Sequence, residues 1–290
     1  VYVTDDRGFL LDDLRLATIV LARPDQPIRE LNDRHLVSIP ATAPREQVVA
    51  AFEKYDRVAL PVTDSQGVLV GIITVDDVLD VAEEEATEDM QKMGGMEALE
   101  APYMESGFVE MIRKRAGWLA VLFLGEMLTA TAMGHFEHEL ARAVVLATFL
   151  PLIISSGGNS GSQATSLIIR SLAVRELEPK DWWRVFVREL GSGTALGLIL
   201  ALIGGTRILL WQRAGFHDYG PHYLAIALIV GGSLVGVVLL GTLAGSMLPF
   251  LLRRAGFDPA TASAPAVATL VDVGGLLIYF TLASVLLGRL

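Results

Sequence analysis

The chain has 290 residues, of which 52% are hydrophobic, and a mean hydropathy of +0.49, which is high for a water-soluble globular protein. Its 33 Asp and Glu residues outnumber its 23 Lys and Arg residues, and two thirds of the acids lie before Ser106. This acidity argues against nucleic acid as a partner and favours cations, because phosphate contacts need clustered bases. The absence of cysteine excludes a disulfide framework, a thiolate metal site and a cysteine nucleophile.

The first third of the chain contains an internal repeat. Residues 3–10, with the sequence VTDDRGFL, reappear at 62–69 as VTDSQGVL, which indicates two copies of one small α/β unit. The second copy is the fuller one, and we predict strands at 38–40, 58–63 and 69–74 and helices at 45–54 and 75–81. This order of elements, together with residues 67–77, resembles a CBS domain. The first copy, residues 1–23, then lacks its front half.

Thr74 and Asp77 lie where the last predicted strand of the second copy ends and a helix begins. Backbone N–H groups at such a position attract phosphate, and an Asp there can reach a ribose hydroxyl. The resemblance to CBS domains therefore allows an adenine nucleotide such as ATP. The alternative is that Thr74 and Asp77 form a helix N-cap pair, which needs no ligand.

Residues 76–105 hold eleven acids and a single base, Lys92. Such a run repels itself, and a solvated face or a disordered tail is one interpretation. Its position before the first apolar segment suggests another, in which divalent cations bridge carboxylates from different elements. The charges alone leave both interpretations open.

Five later segments are apolar and long enough to cross a bilayer: residues 117–134, 141–172, 186–211, 223–250 and 264–287. We expect five transmembrane helices, the second of them interrupted at 155–161 by the polar stretch SSGGNSG. Glycine pairs at 193/197, 232/236 and 241/245 are typical of close helix packing.

The basic residues that flank these segments predict an orientation in the plasma membrane. Ten lie before the first span, between spans two and three, or between spans four and five, against three on the other side. The acidic N-terminal part is therefore expected in the cytoplasm and the C-terminus outside.

Two carboxylates lie deep within the predicted spans, Glu126 and Asp272, whereas Glu189 lies near the start of the third span. A charged group at membrane depth is costly and marks an ion pathway or a buried partner. Asp272 has no base in its own span, which favours a functional role. Glu126 is interpreted either as functional or as hydrogen-bonded between helices.

The CBS-type module, the acidic linker, the five spans, and the sequences GGNSGSQ at 157–163 and PAVATLVDV at 265–273 together resemble the MgtE family of magnesium channels. The implied fold is an α-helical integral membrane domain of five transmembrane helices, preceded by a cytosolic α/β CBS-type domain. We expect the CBS module at 1–90, an acidic connecting helix at 91–115 and the pore domain at 116–290. The chain begins Val1-Tyr2-Val3 without methionine, so it is expected to lack the N-terminal helical domain of the family.

The resemblance implies a homodimer whose pore lies on the two-fold axis, within membrane lipid. Asp272 and the Ala268 carbonyl would hold a largely hydrated Mg²⁺ there, while Asn159 and Gln163 would shape the interrupted helix. The family commonly has Asn where this chain has Ser162, and some members have Asn in place of Ala264. Selectivity against Mn²⁺, Co²⁺ and Ca²⁺ is therefore left open.

The resemblance also implies regulation by intracellular Mg²⁺. Asp258 is expected to bind a regulatory ion together with Glu97 and Glu100 of the connecting helix. Further ions would bridge the CBS module to that helix and stabilise a closed state, through Asp76, Asp77, Asp80 and Glu83.

Two other functions stay open at this point. One is a divalent cation exchanger coupled to Na⁺ or H⁺, with Glu126 as a second titrating site. The other is a membrane-anchored nucleotide sensor whose spans only dimerise. An enzyme is not expected, because the sequence shows no convincing nucleophile–base pair, P-loop or metal-binding His/Glu motif.

Overall fold

The computed structural model describes residues 1–31, 36–136 and 144–287. The chain divides into two compact units, Val1–Thr87 and Glu88–Leu290. The first unit contains short strands and helices, whereas the second is helical. The expected combination of a CBS-type α/β domain and a helical membrane region is confirmed.

The first unit contains two small sheets. Strands β1 (Tyr2–Thr4) and β2 (Leu10–Asp13) form an antiparallel hairpin, and helix α1 (Leu16–Leu21) follows it. The second sheet has the order β3-β4-β5, in which β3 and β4 are parallel and β4 and β5 antiparallel. Its elements are β3 (Ile39–Pro40), α2 (Arg45–Tyr55), β4 (Ala59–Thr63), β5 (Leu69–Thr74) and the first part of α3 (Val75–Met93).

The two hairpins of this unit have matching turns, which confirms the internal repeat. Asp5 accepts hydrogen bonds from two backbone N–H groups of its turn, and Asp64 does the same at 2.9 Å. Gly8 and Gly67 close the two turns with φ of +82° and +87°, a conformation that glycine adopts without strain. The turns also pair with each other, because Leu69 N donates to the Gly8 carbonyl at 3.0 Å.

Helix α3 and the residues after it differ from the prediction. The helix predicted at 75–81 continues to Met93. The connecting helix expected at 91–115 is wrong, because residues 94–107 form turns and the next helix, α4 (Phe108–His135), begins only at Phe108. Gly95 has a φ of +75°, which ends the helix. Most of the acids in α3 are exposed, so water weakens their mutual repulsion enough for the helix to form.

Among the described residues, five long helices follow α3 in the second unit. They are α4 and then α5 (Val144–Ala173), α6 (Trp182–Ala214), α7 (Tyr223–Arg254) and α8 (Ala264–Leu287). Helix α7 is central, because it packs against α5, α6 and α8, while α4 packs mainly along α8. Fully buried side chains such as Tyr279 and Phe280 fill the core, and the Tyr279 hydroxyl donates to the Leu146 carbonyl at 2.8 Å.

Four helices of the described residues are long and apolar enough to cross a membrane: α4, α6 with the turn before it, α7 and α8. The described residues of all five predicted spans are helical, residues 141–143 lying outside the described ranges, but α5 is not among these four. Helix α5 has 30 residues, and its Ser, Gly and Asn residues lower its hydropathy.

The interruption predicted at residues 155–161 is wrong, because α5 runs without a break from Val144 to Ala173. Hydroxyl groups return to carbonyls one turn earlier in the same helix: Ser156 to Leu152 at 2.6 Å, Ser162 to Gly158 at 2.9 Å and Ser166 to Ser162 at 2.9 Å. These three hydroxyl groups are thus satisfied within a regular helix, so no backbone has to be opened for them.

Glycines bring α5 and α7 into backbone contact. A Cβ atom on Gly241 would overlap the Gly157 carbonyl, and one on Gly245 would overlap the Gly161 carbonyl. Beside them, the Ser160 and Thr242 hydroxyls hydrogen-bond at 2.7 Å, and Thr165 donates to the Gly245 carbonyl at 3.1 Å. The expected role of the 241/245 glycine pair in close packing is confirmed.

We expect Gly241→Ala to lower the free energy of unfolding by about 1–3 kcal/mol, because the added methyl group meets the backbone of α5. Gly205→Ala is the matched control: nothing lies within 4 Å of its added Cβ, and the change is expected to be neutral or stabilising by up to about 1 kcal/mol. Thermal unfolding in detergent, followed by circular dichroism, measures both variants. Equal effects would contradict the backbone contact.

Candidate ion pathway

Helix α5 has a polar stripe on its exposed side. Ser155, Asn159, Gln163 and Ser166 recur at the spacing of one helix face, and all four are exposed. Hydrocarbon cannot hydrogen-bond the amide groups of Asn159 and Gln163, so this face requires water or another protein surface in a membrane. The sequence analysis expected both side chains to shape an interrupted helix beside the pore, but they lie on the exposed face of a continuous helix. Their place in an ion pathway stays a prediction.

Asp272 lies on α8, next to this part of α5. The two helices meet where Gly158 faces Ala268, since a Cβ atom on Gly158 would be 3.7 Å from the Ala268 Cβ. Asp272 follows Ala268 by one helical turn and is neither buried nor fully exposed. The Ala268 carbonyl lies within α8, where the helix occupies one of its two lone pairs and leaves one for a ligand.

A cavity of about 530 Å³ opens beside Asp272. Its polar lining consists of Asp272, Ser155 of α5 and Thr129 of α4, and Pro151, Met133 and Leu276 are among its apolar members. Six water molecules need about 180 Å³ at roughly 30 Å³ each, so a hydrated cation fits this space. The Thr129 hydroxyl is buried here and has no hydrogen-bond partner among the described residues.

Glu126 of α4 meets Asp272 across the α4–α8 contact. Thr269, which precedes Asp272 by three residues on the same face of α8, donates to Glu126 Oε1 at 3.4 Å, so the Glu126 and Asp272 carboxyl groups are neighbours. The interpretation of Glu126 as hydrogen-bonded between helices is therefore confirmed. Sequence reasoning missed its proximity to Asp272, because only the packing of α4 on α8 brings these residues together.

Asp258 lies at the start of the 3₁₀ turn that precedes α8, and its closest charged partner is Lys92 at the end of α3. The distance from Lys92 Nζ to Asp258 Oδ2 is 2.6 Å, and Lys92 also contacts Glu88 at 2.5 Å. Burial lowers the pKa of Lys92, but hydrogen bonds and charge from Asp258 and Glu88 more than offset this and hold it well above its ordinary value of 10.5. The sequence showed Lys92 as an isolated base and gave no sign of its partner.

The other residues of the expected regulatory site have different partners. Glu100 pairs with Lys114 at 3.5 Å, and Glu97 N donates to the Lys114 carbonyl at 3.0 Å. Across the described ranges, no three His, Cys, Asp or Glu side chains are grouped to hold a metal ion. Regulatory ion binding by Glu97, Glu100 and Asp258 stays a prediction.

Several contacts hold the end of α3 against the entrance to α8. Met93 packs on a small apolar cluster that includes Ala260 and Ala262. Trp118 donates from Nε1 to Ser263 Oγ at 3.1 Å, and Gly95 lies against Trp118. The Lys92–Asp258 ion pair therefore belongs to a packed junction, which limits the freedom of both side chains.

In the first unit, Thr74 and Asp77 bind each other. The Thr74 hydroxyl donates to Asp77 Oδ2 at 2.6 Å, and the Thr74 backbone N–H donates to the same oxygen at 3.4 Å. The second contact is the one expected of the helix N-cap pair. Asp77 and Arg45 also line an otherwise apolar cavity of about 330 Å³ between α2, β5 and α3. Nucleotide binding by Thr74 and Asp77 stays a prediction.

Asp76, Asp80 and Glu83 lie on one face of α3, and all three are exposed, as is Asp77. The structure thus places the four acids expected to bind regulatory ions on the surface of the same helix.

We expect Lys92→Met to destabilise the second unit, because it leaves Asp258 without its cation. A double-mutant cycle with Asp258→Asn should give a coupling of about 1 kcal/mol, measured by thermal unfolding in detergent. Because the pKa of Lys92 is raised, this stabilisation is fully present below the ordinary Lys pKa near 10.5 and is lost as pH rises through the higher folded-state pKa.

Lys180→Met, with Glu178→Gln, is the matched control cycle. Lys180 and Glu178 are also 2.6 Å apart, but both side chains are mostly exposed, so a coupling near zero is expected. Equal couplings in the two cycles would show that the junction adds nothing to the Lys92 ion pair.

Comparison with known proteins gives two family matches. Residues 150–282 match the MgtE model, described as a divalent cation transporter, and residues 28–84 match the CBS domain. The chain is 42% identical over 287 residues to a magnesium transporter MgtE of Thermus thermophilus, covering 99% of the chain and 62% of that relative. It is 32% identical to the magnesium transporter MgtE of Enterococcus faecalis, covering 98% of the chain and 60% of that relative.

The chain thus spans about three fifths of the length of these curated relatives. A solved structure, the soluble part of a magnesium transporter, is 34% identical over 30% of this chain and 34% of that one, with a TM-score of 0.29.

Proposed function

Since residues 150–282 form an MgtE transporter domain and residues 28–84 a CBS domain, we propose that the chain carries Mg²⁺ across the plasma membrane as a channel. The observation that carries this proposal is Asp272, a carboxylate in an apolar helix, at a cavity beside the exposed polar stripe of α5. No ion pair of the described residues involves Asp272, so a cation is a natural partner for its charge.

The chemistry of Mg²⁺ suits this arrangement. Mg²⁺ prefers octahedral oxygen ligands and gives up its water reluctantly, so a few carboxylates and carbonyls that bind through its water shell suffice. Asp272 supplies negative charge, and Asn159 and Gln163 supply amide groups that can hydrogen-bond the bound water. The free lone pair of the Ala268 carbonyl adds a further acceptor one turn away.

We also propose that the pore forms between two copies of the chain. The polar stripe of α5 is exposed in a single copy, and hydrocarbon cannot satisfy it. A two-fold axis at this face would cover the stripe and bring two Asp272 carboxylates to one ion. The bases near the start of α4, around the connection from α5 to α6 and at the end of α7 lie at one end of the alternating helices, which supports a cytoplasmic location for that end and for the CBS domain.

Regulation by intracellular Mg²⁺ is the second part of the proposal. The exposed acids of α3 repel one another when no cation is bound, and Mg²⁺ would remove this repulsion. At Asp258, a regulatory ion would have to compete with the Lys92 ammonium group, which lies 2.6 Å away. Closing the channel therefore needs several weak Mg²⁺ sites that act together. The carboxylates of Asp76, Asp80 and Glu83 form one such set.

Nucleotide binding is proposed only for the cavity beside Asp77. Arg45 could pair with a phosphate there, but it already contacts Glu84 at 3.2 Å. The Asp77 carboxylate already accepts a hydrogen bond from the Thr74 hydroxyl. A nucleotide would have to replace both contacts.

Flux into proteoliposomes tests the pathway. With an Mg²⁺-sensitive dye inside and a negative-inside potential, we expect flux through the wild-type chain and at least a tenfold loss in Asp272→Asn, which removes the charge but keeps the shape. Glu176→Gln, an exposed carboxylate in the loop after α5, should behave like wild type. Equal flux in Asp272→Asn and wild type would refute the assignment, and flux that needs a Na⁺ or H⁺ gradient would indicate an exchanger.

Regulation is tested from the other side of the membrane. Raising Mg²⁺ on the CBS side should reduce the flux, and Asp76→Asn with Asp80→Asn should shift this inhibition to higher Mg²⁺, because two carboxylates of one helix face are lost. Asp5→Asn with Asp64→Asn, which changes two acids of the hairpin turns, is the control pair. Inhibition that is unaffected by the α3 changes would contradict ion binding on this helix.

A further inference from the structure

Helix α4 carries a second carboxylate to the proposed pathway. Gly125 allows α4 to approach α8 closely, because a Cβ atom at this position would lie 2.5 Å from Thr269 Cγ2. The next residue, Glu126, therefore reaches both Thr269 and Asp272. In the sequence these carboxylates are separated by most of the membrane domain.

The charges around this pair are unbalanced. Among the described residues, no Lys, Arg or His forms an ion pair with Glu126 or Asp272. Two carboxylates in contact repel each other strongly where the dielectric constant is low. A divalent cation between them neutralises both charges at once, whereas a monovalent cation neutralises only one.

The same face of α4 also borders the cavity. Thr129 follows Glu126 by three residues and Met133 by seven, so the three side chains lie on one helix face. Thr129 and Met133 line the cavity with Asp272. The buried Thr129 hydroxyl has no partner among the described residues, which independently indicates that water or a hydrated ion occupies this space.

We propose that Glu126 is a specificity-determining residue of the ion pathway, providing with Asp272 a paired carboxylate that favours divalent over monovalent cations. This inference rests on the proposed function, because it assigns Glu126 to the pathway of Asp272. Thr269 acts as a positioning residue, since its hydroxyl holds the Glu126 carboxylate toward α8.

The test compares Mg²⁺ and Na⁺ flux in proteoliposomes that contain the full chain. We expect Glu126→Gln to raise the half-saturating Mg²⁺ concentration about tenfold, the effect of one lost charge-assisted contact, and to lower the Mg²⁺-to-Na⁺ flux ratio. Glu126→Asp keeps the charge and should retain most of the ratio. Glu110→Gln, at the start of the same helix, is the matched control and should match wild type in both quantities.

The outcomes separate this inference from the function on which it rests. If Asp272→Asn abolishes flux but Glu126→Gln keeps the wild-type half-saturation and flux ratio, the role of Glu126 is overturned and the pathway stands. If Asp272→Asn conducts like wild type, the pathway itself fails. If Glu126→Gln does not elute as a folded protein, Thr269→Val decides: a lowered Mg²⁺-to-Na⁺ flux ratio in this variant supports the inference, and a wild-type flux ratio with a wild-type Mg²⁺ half-saturation overturns it.

Discussion

Hydrocarbon offers no hydrogen-bond partners, so every polar group that α5, α7 and α8 carry into the membrane must be satisfied by the protein or by water. This constraint accounts for the hydroxyls of α5 that bond back to their own helix, and for the Ser160–Thr242 contact with α7. It also separates the polar residues into two sets. The buried hydroxyls of Ser160, Thr165 and Thr242 have hydrogen-bond partners within the protein. Asn159, Gln163 and Asp272 instead lie at surfaces that water or a second copy of the chain can meet.

Glycines bring helices α5 and α7 into direct contact. Backbone contact at Gly157 and Gly161 holds α5 firmly on α7, while Gly158 faces Ala268 of α8. Gly125 likewise allows α4 to lie close to α8, because a Cβ atom at this position would meet the Thr269 side chain. Small residues therefore do more than permit packing: they set the distances at which Asp272, the polar stripe of α5 and Glu126 meet.

Carboxylates inside and outside the membrane have different partners in this chain. At the junction before α8, Lys92 neutralises Asp258 within a packed contact, and no bound ion is needed for this ion pair to form. Within the membrane, Asp272 meets another carboxylate in place of a base. An ion would therefore compete with a protein cation at the first site and would relieve repulsion at the second, so the two sites are suited to regulation and to conduction respectively.

Much of this architecture is local, and the sequence by itself determined it. Hydrophobic runs, turn residues and the internal repeat indicated the strands, the matched turns at Gly8 and Gly67, the five apolar helices and the position of Asp272 within one of them, because these depend on neighbouring residues. The limits of α3 and the continuity of α5 were predicted wrongly: exposure to water relieves the repulsion of the α3 acids, and hydroxyl-to-carbonyl bonds satisfy the polar stretch of α5. Only the tertiary structure decided that Lys92 meets Asp258 and that Glu126 meets Asp272, because such pairs depend on how distant helices pack and leave no periodic pattern in the chain.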